Sequence, residues 1–559
     1  MVAKKWEMKE QISKDVEEQL LYCYGIDPDK KEDFFSPSYE EKLRSPFEIL
    51  NMDKAAERIL KAIKNNEKIL LYGDYDADGI CGTIVFHDFF KKIEFSNFDA
   101  YIPDRHKDGY GLTLEGIDEF KKQGVNLIIT IDCGITDVEE IKKANDLGID
   151  TIVTDHHFQG ENLPPALAVV DPKQEKDEYP FEMLCGAAVA FKVVNAVIEK
   201  GDFNIVDGWT KWLLDVVCIA TIADMMPLVD ENRAIVFYGL QVLKKTKRLG
   251  LLALFKKLKI TQKNVKEDDI AFFIAPRINT AGRMGRAGIS FELLSTESEE
   301  EAEWATDRLD QKNDERKELV GNIISEVDKL IDGNPDKEAF LCFGNENWEP
   351  GVLGIAANRI LENYNKPVVL WGKGEGKYFK GSARSNGSLN FVELMSVLGD
   401  DYFSDFGGHA LSAGFTIKGD KLKDLGSAFT EALNKIQPEK VENSVMIDKE
   451  TSLGEVDWKF LKVVEKFEPF GMGNPKPVFL IKDLEVSEVK MFGNGSIHMR
   501  IDFKKDNGKV LSAIAFFMKN EGVFEIKKGD RIDLLASVER STFKGYDELR
   551  LKIVDFKIL

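Results

Sequence analysis

Ile69-Leu-Leu-Tyr-Gly-Asp74-Tyr-Asp76-Ala-Asp78-Gly-Ile-Cys-Gly-Thr83 decides how the rest of the chain is read. The apolar run Ile69–Tyr72 has the length and character of a buried strand, and Gly73 breaks it. Three carboxylates follow within five residues, at Asp74, Asp76 and Asp78, before a helical pattern over Ile84–Phe90. Acidic side chains at the carboxyl end of a strand sit where open α/β sheets bind ligands. Carboxylates that close repel one another, so a positive partner is required, and a divalent cation is the usual one.

Working outward, the pattern recurs. A strand is expected at Ala100–Ile102, a helix at Glu115–Lys122, then a strand at Leu127–Ile131 with Asp132-Cys-Gly at its end. A helix over Val138–Leu147 and a strand over Asp150–Thr154 follow, closing on Asp155-His156-His157. Alternation of this kind predicts a parallel sheet flanked by helices. Three successive strands thus carry Asp76/Asp78, Asp132 and Asp155-His156-His157 to one sheet edge, and the apolar helix Trp212–Ala223 brings Asp224. This hard, oxygen-rich set with one or two imidazoles suits Mn²⁺ or Mg²⁺ better than a thiolate-bound zinc. Five or more ligands exceed one metal's need, which implies two ions clamping a phosphoryl displacement, bridged by Asp132 on the central strand.

Composition agrees with a multidomain globular protein. The chain has 559 residues, 43% of them hydrophobic, and a formal net charge of −21; three or four domains are expected. The charge excludes a protein that coats nucleic acid with its whole surface, though not a local basic groove. Ala271–Ile289 carries three arginines and no acid, and Trp371–Phe391 carries three lysines and one arginine against Glu375. The six cysteines are scattered without a CxxC pair, so buried free thiols in a reducing cytoplasm are expected. No apolar run is long enough for a bilayer and Met1–Glu10 has no signal pattern, so a cytoplasmic protein without membrane contact is expected.

The remaining organisation reads as follows. Residues 1–66 form an acidic, mostly helical lead-in and 67–295 the parallel-sheet domain. A long helix over about Thr296–Ile331 connects to a smaller α/β domain at 333–437, with the connection taken as 296–332. From 438 to 559 short β-rich runs predict an OB-like barrel, with strands at Val478–Leu480, Ile497–Phe503, Val510–Phe517, Arg531–Val538 and Leu549–Leu559. From Val441 onward there are 20 Lys+Arg and 20 Asp+Glu, so the net acidity lies upstream.

Asp76-x-Asp78, Asp132, Asp155-His156-His157 and Asp224 resemble the four motifs of the DHH phosphoesterase superfamily. Tyr72–Gly79, Ile102-Pro-Asp-Arg-His-Lys-Asp-Gly-Tyr-Gly111, Gly186-Ala-Ala-Val-Ala190, Ala275-Pro-Arg-Ile-Asn-Thr-Ala-Gly-Arg-Met284 and Gly407-Gly-His-Ala-Leu-Ser-Ala-Gly414 resemble blocks of its single-strand-specific DNA exonucleases. The resemblance implies an α/β DHH domain, a DHHA1 partner domain holding Gly381–Ser385 and Gly407–Ala410, and an OB-like nucleic-acid-binding barrel. It implies two divalent ions, Mn²⁺ or Mg²⁺, on Asp76, Asp78, Asp132, His156 and Asp224. His157 would contact the scissile phosphate, with Asp132 and Asp155 in the catalytic set. Arg105, Tyr110, Arg277, Asn279, Arg283, Ser382, Arg384 and His409 fall in blocks expected to hold DNA, its terminal phosphate included. Arg105 with Tyr110 pairs a guanidinium with a stacking ring, as single strands require; the alternative for Tyr110 is packing on its own loop.

The activity so implied is metal-dependent 5′ to 3′ hydrolysis of single-stranded DNA to 5′-mononucleotides, in repair and recombination, by a monomer working with a single-strand-binding protein and a helicase. Two other readings stay open: a nano-RNase or cyclic-dinucleotide phosphodiesterase of the same superfamily, and a nucleic-acid-binding scaffold without catalysis. Two positions depart from the pattern. Tyr72 stands where some relatives carry a ligand His, and Trp348-Glu349 stands where a Trp-His pair is expected.

Overall fold

The computed structural model describes residues 5–105, 107–331, 338–374, 376–399, 401–436, 444–493, 498–516, 526–541 and 547–559. The expected joints at 332/333 and 437/438, His106, and the outer ends of the strands expected at Ile497 and Phe517 lie outside these residues. The chain divides into two compact units. One comprises 29–314 with 467–476; the other comprises 1–28, 315–466 and 477–559.

The first unit is built on a five-stranded parallel sheet. Its strands are β1 (Ile69–Gly73), β2 (Phe98–Tyr101), β3 (Leu127–Ile131), β4 (Asp150–Thr154) and β5 (Ala168–Val170), in the order β2-β1-β3-β4-β5. β1 and β3 are buried at every residue, as expected for a parallel sheet covered on both faces. Alternation along β1 sends Ile69 and Leu71 into the large core with helices 77–92, 186–200 and 214–223. Leu70 and Tyr72 enter a second core with Ile117, Phe120 and Ile141. Strand order reverses between β1 and β3, and ligands of doubly wound sheets bind at the carboxyl ends beside such a switch point. Asp74 and Asp132 follow those two strands. β5 has three residues, too few for a periodic signal.

The helix Glu299–Leu330 runs 32 residues, about 48 Å at the usual rise, and the division between the units falls within it. In the second unit a five-stranded mixed sheet contains the strands Tyr378–Arg384, Phe403–His409 and Ser412–Lys418. Ala383, Ala413, Phe415 and Ile417 share one buried face with Phe391, Phe403 and Phe429. By the two-residue period, Ser382, Arg384 and His409 stand on the other face.

The C-terminal region forms the expected OB-like barrel. Phe479–Phe492 pairs with Arg531–Ser541 through its first half and with His498–Lys504 through its second, so the strands return on themselves. Register shifts at 481/484 and 486/488 mark the bend, where an irregularity re-aims a strand. The N-terminal lead-in differs from expectation. It opens on a strand, Lys5–Met8, paired in parallel with Ser444–Ile447, and residues 1–28 belong to the unit that carries the barrel. The cause is long-range pairing that no local propensity announces.

Candidate active site

Each element delivers its side chains through a local device. Asp76 caps helix 77–92, its carboxylate accepting hydrogen bonds from Asp78 N–H and Gly79 N–H, the standard use of Asp before a first turn. Asp78, one residue inside, points at the start of helix 186–200 and accepts from Gly186 N–H at 2.6 Å and Ala187 N–H at 2.7 Å. Unpaired amides and the positive end of that helix favour the anion. Gly186 is required here: a Cβ on it would lie 2.6 Å from the Asp132 Cβ and 2.8 Å from its Oδ1. Asp132 adopts a left-handed backbone, φ 63°, which a non-glycine residue holds only under strain that clusters at functional sites. Asp224 closes its helix, 214–223, and Met225 turns the chain with φ 56°.

These side chains converge. His156 Nε2 lies 3.1 Å from Asp132 Oδ1 and 3.6 Å from both Asp78 Oδ2 and Asp224 Oδ2. Ligand atoms of Asp78, His156 and Asp224 fall within 4.8 Å of one another, as do those of Asp74, Asp76 and Asp132, and those of Asp132, His156 and His157. Asp132 recurs in two of the groups. Asp74 Oδ1, Asp132 Oδ1, His156 Nε2 and Asp224 Oδ2 are buried with no hydrogen-bond partner, an arrangement too unfavourable to leave without a ligand. Burial and neighbouring carboxylates push Asp74 and Asp132 well above the ordinary range. Burial, then Asp76, raises Asp78 to about 6; burial, then Asp78, raises Asp224 to about 8. Burial, with His157 beside it, lowers His156 to about 3, so its imidazole is neutral and able to ligate. Repelling carboxylates around a neutral imidazole fit hard divalent cations.

Asp155 is fully buried, and its Oδ1 accepts from the backbone N–H of His156 and His157. The same oxygen lies 2.8 Å from His157 Nδ1, and Oδ2 accepts from Ile135 N–H. Although burial works the other way, this contact lifts His157 to about 9, a cation at neutral pH. The Tyr110 hydroxyl lies 3.3 Å from the Asp132 carbonyl and 3.3 Å from His157 Nδ1, while the residue stays 47% exposed. Its hydroxyl sits at the cluster and its ring meets the His157 ring edge-on, with centroids 6.1 Å apart.

The remaining expected residues divide by environment. Arg105 lies over the Tyr75 ring, 5.3 Å from its centroid. Burial and the Arg105 charge hold Arg283 below its usual range. Among the described residues neither guanidinium has a carboxylate ion pair. Arg277, expected to hold DNA, is buried and bonded to Asp310 Oδ1 at 2.9 and 2.7 Å and to the Phe273 carbonyl. Asn279, expected likewise, accepts the Ala77 N–H at 2.7 Å, bracing the turn between Asp76 and Asp78. In the second unit, Arg384 Nη1 donates to Ser382 Oγ and the Ala383 carbonyl, each at 2.8 Å. Arg384 and His409 are both register partners of Ser412, so they share one sheet face. Trp348 is buried, with Nε1 donating to Glu326, and Glu349 precedes helix 350–364.

Asp74 is absent from the ligand set expected from motifs, yet it stands in the Asp74/Asp76/Asp132 group. Its signal was its place as the first of the three carboxylates in the opening stretch. Tyr72 leaves no vacancy at the cluster: it points into the second core, stacks on Tyr101 and donates its hydroxyl to the Gly111 carbonyl.

The chain matches the DHH family N-terminal domain at residues 68–221, the DHHA1 domain at 337–435 and the RecJ OB domain at 447–555. It is 34% identical over 540 residues to the single-stranded-DNA-specific exonuclease RecJ of Bacillus subtilis, covering 96% of this chain and 67% of that protein. Crystal structures of Thermus thermophilus RecJ superpose with TM-scores of 0.80 for the Mn²⁺ complex, at 25% identity, and 0.74 for the Mg²⁺ complex, at 23%. Both cover 99% of this chain, and respectively 79% and 78% of the other. With its acidic cluster at the switch point of a parallel sheet and all three domains in order, the chain belongs to the RecJ family of single-stranded-DNA-specific exonucleases.

Proposed function

We propose that the chain degrades single-stranded DNA from the 5′ end and releases 5′-mononucleotides, with the DHH unit as its catalytic body. The enzyme is a metal-dependent, single-strand-specific DNA exonuclease using Mn²⁺ or Mg²⁺. What supports the site assignment is a chain of shared ligands: Asp132 groups with Asp74 and Asp76 and also with His156, His156 groups with Asp78 and Asp224, and buried ligand atoms of Asp74, Asp132, His156 and Asp224 lack partners. Asp74, Asp76 and Asp132 would hold one ion, and Asp78, Asp132, His156 and Asp224 the other. Ions so bound supply Lewis acidity toward phosphate and a nucleophilic water at neutral pH.

The protein's own groups do the rest. His157, kept cationic by Asp155, offers a proton-bearing nitrogen to a phosphate oxygen and stabilises charge there. Asp155, with every contact spent on backbone and His157, is a positioning residue. Arg105 and Arg283, two close cations without carboxylate partners among the described residues, would bind backbone phosphate, and Tyr110 would stack a base. Arg277 and Asn279 would act through Asp310 and the Ala77 amide, holding the site's walls. Ser382, Arg384 and His409, on one face of the second unit's sheet, would seat the terminal phosphate. The working division is 67–295 for chemistry, 296–332 for connection, 333–437 for the strand end and 438–559 for trailing DNA, with 1–66 as lead-in. A monomer in the cytoplasm, serving repair and recombination beside a single-strand-binding protein and a helicase, completes the proposal.

Strands labelled at either end test it. A 5′ label should leave as mononucleotide from the first turnover, only with divalent metal, whereas a 3′ label should shorten progressively. Early mononucleotide from the 3′ label would reverse the polarity, and a random ladder would exclude an exonuclease.

A further inference from the structure

An exposed phenyl ring and a lysine lie beside the acidic cluster on the side of the sheet away from Arg105. Arg105 follows β2, one edge of the five-stranded sheet; the cluster follows β1, β3 and β4; and β5 is the opposite edge. Beyond β5 the chain turns at Asp171 and reaches Lys173, whose N–H donates to Asp171 Oδ1 at 2.8 Å. Beyond β4, Phe158 follows His157 directly and is 64% exposed, an unusual place for a phenyl ring. The Lys173 ammonium lies 5.1 Å from the Phe158 ring centroid. Gln159 Oε1 accepts Glu175 N–H and ties the two loops together.

Lys173 makes no carboxylate ion pair among the described residues, although its charge is felt at His156, Asp171 and Asp224. Asp171 is fully buried, so its carboxylate makes no direct contact with a strand passing over the loops. An exposed ring beneath a cation, one residue from the phosphate-facing His157, is the pairing that grips a nucleotide by base and backbone together. The two outer strands of the sheet are on the order of 19 Å apart at ordinary strand spacing, a span of several nucleotides.

We propose that Phe158 and Lys173 form a nucleotide subsite on the β5 side of the cluster, opposite Arg105 and Arg283, where Phe158 stacks a base and Lys173 binds an adjacent phosphate of single-stranded DNA. The inference rests on the nuclease reading given above. The test uses the full chain and a fluorescein-labelled oligothymidylate, with Ca²⁺ replacing the active metal so that binding is read alone. Phe158→Ala should weaken binding several-fold to about a hundredfold, Phe158→Trp should retain it, and Phe158→Leu should not rescue it. Lys173→Met should flatten the slope of log affinity against log salt by roughly 0.7, one phosphate contact on a single strand, and Lys173→Arg should restore it. A merely structural lysine would leave that slope unmoved. Wild-type slope in Lys173→Met, or wild-type affinity in Phe158→Ala, overturns the subsite, provided circular dichroism shows the variants folded. Failure of the wild-type protein to bind single strands would instead overturn the nuclease reading.

Discussion

Stripping divalent metal should make the catalytic unit lose stability as pH rises from 6 to 8, and restoring Mn²⁺ should reverse most of that loss. Burial and mutual repulsion hold Asp78 at about 6 and Asp224 at about 8 in the folded protein, against ~3.9 for an unfolded Asp. A folded-state value raised above the unfolded one stabilises fully below about pH 3.9, and that contribution is lost as pH climbs through about 6 and then about 8. Integrated from pH 6 to 8, the loss is about 2.3 kcal/mol for Asp224 and about 0.4 kcal/mol for Asp78. Together this is about 2 kcal/mol after allowing for the partial exposure of Asp224. His157, raised to about 9, titrates in the same direction. At roughly 2–4 °C per kcal/mol for a domain of this size, the gap in Tm between Mn²⁺-loaded and EDTA-treated protein should be about 4–8 °C wider at pH 8 than at pH 6. Differential scanning fluorimetry of the full chain reads both gaps directly. A gap that is equal at the two pH values, or narrower at pH 8, would refute the claim that carboxylate repulsion is what the ions relieve.

Gly186→Ala should lower kcat at least about a hundredfold, since the added methyl displaces Asp132 and small misplacements at a reacting centre have effects of that order; single-turnover rates check it. Tyr110→Phe keeps the ring but loses the hydroxyl, so kcat should fall roughly five- to tenfold with strand affinity retained, whereas Tyr110→Ala should lose both. Arg384→Ala should shrink the preference for a 5′-phosphorylated over a 5′-hydroxyl strand by about ten- to a hundredfold; competition between the two substrates measures it. A chain ending at Glu442 should fail to fold its catalytic unit, because 467–476 belong to that unit, with Phe467 buried and Arg233 donating to the carbonyls of Phe467 and Glu468. A chain ending at Lys476 should still cleave dinucleotides but bind long strands with a shallower salt slope, as circular dichroism and binding titrations would register.

How much of this was legible in the sequence depended on the range of the interaction concerned. Leu127–Ile131 and Asp150–Thr154 were readable to the residue because a buried parallel strand is a bounded apolar run. The acidic residues at their ends followed from chain direction alone. Arg277 was different: an arginine in an acid-free window reads as a phosphate ligand, and only the fold brings Asp310, 33 residues on, against it. Asn279 braces Ala77 from 202 residues away, and Lys5–Met8 pairs with a strand more than four hundred residues later; neither leaves a local trace. Asp74 was visible but passed over, because motif spacing favoured its neighbours, and the Tyr72 departure hid the fact that the side chain belongs to the other sheet face. The strap 467–476 showed its glycines and prolines in the sequence, but not that it packs on the Asp224 loop, where Leu228 N–H donates to the Met472 carbonyl.

The central claim is that Asp132 joins two metal positions in a single nuclease site. Asp132→Ala, prepared at full length and shown by circular dichroism to be folded, tests it through Mn²⁺-dependent hydrolysis of an end-labelled single strand. With a ligand common to both groups removed, one water cannot replace two coordination positions, and turnover should fall below a few percent of wild type even at saturating Mn²⁺. Recovery of wild-type turnover at high Mn²⁺ would contradict the shared ligand and, with it, the two-metal account of the site.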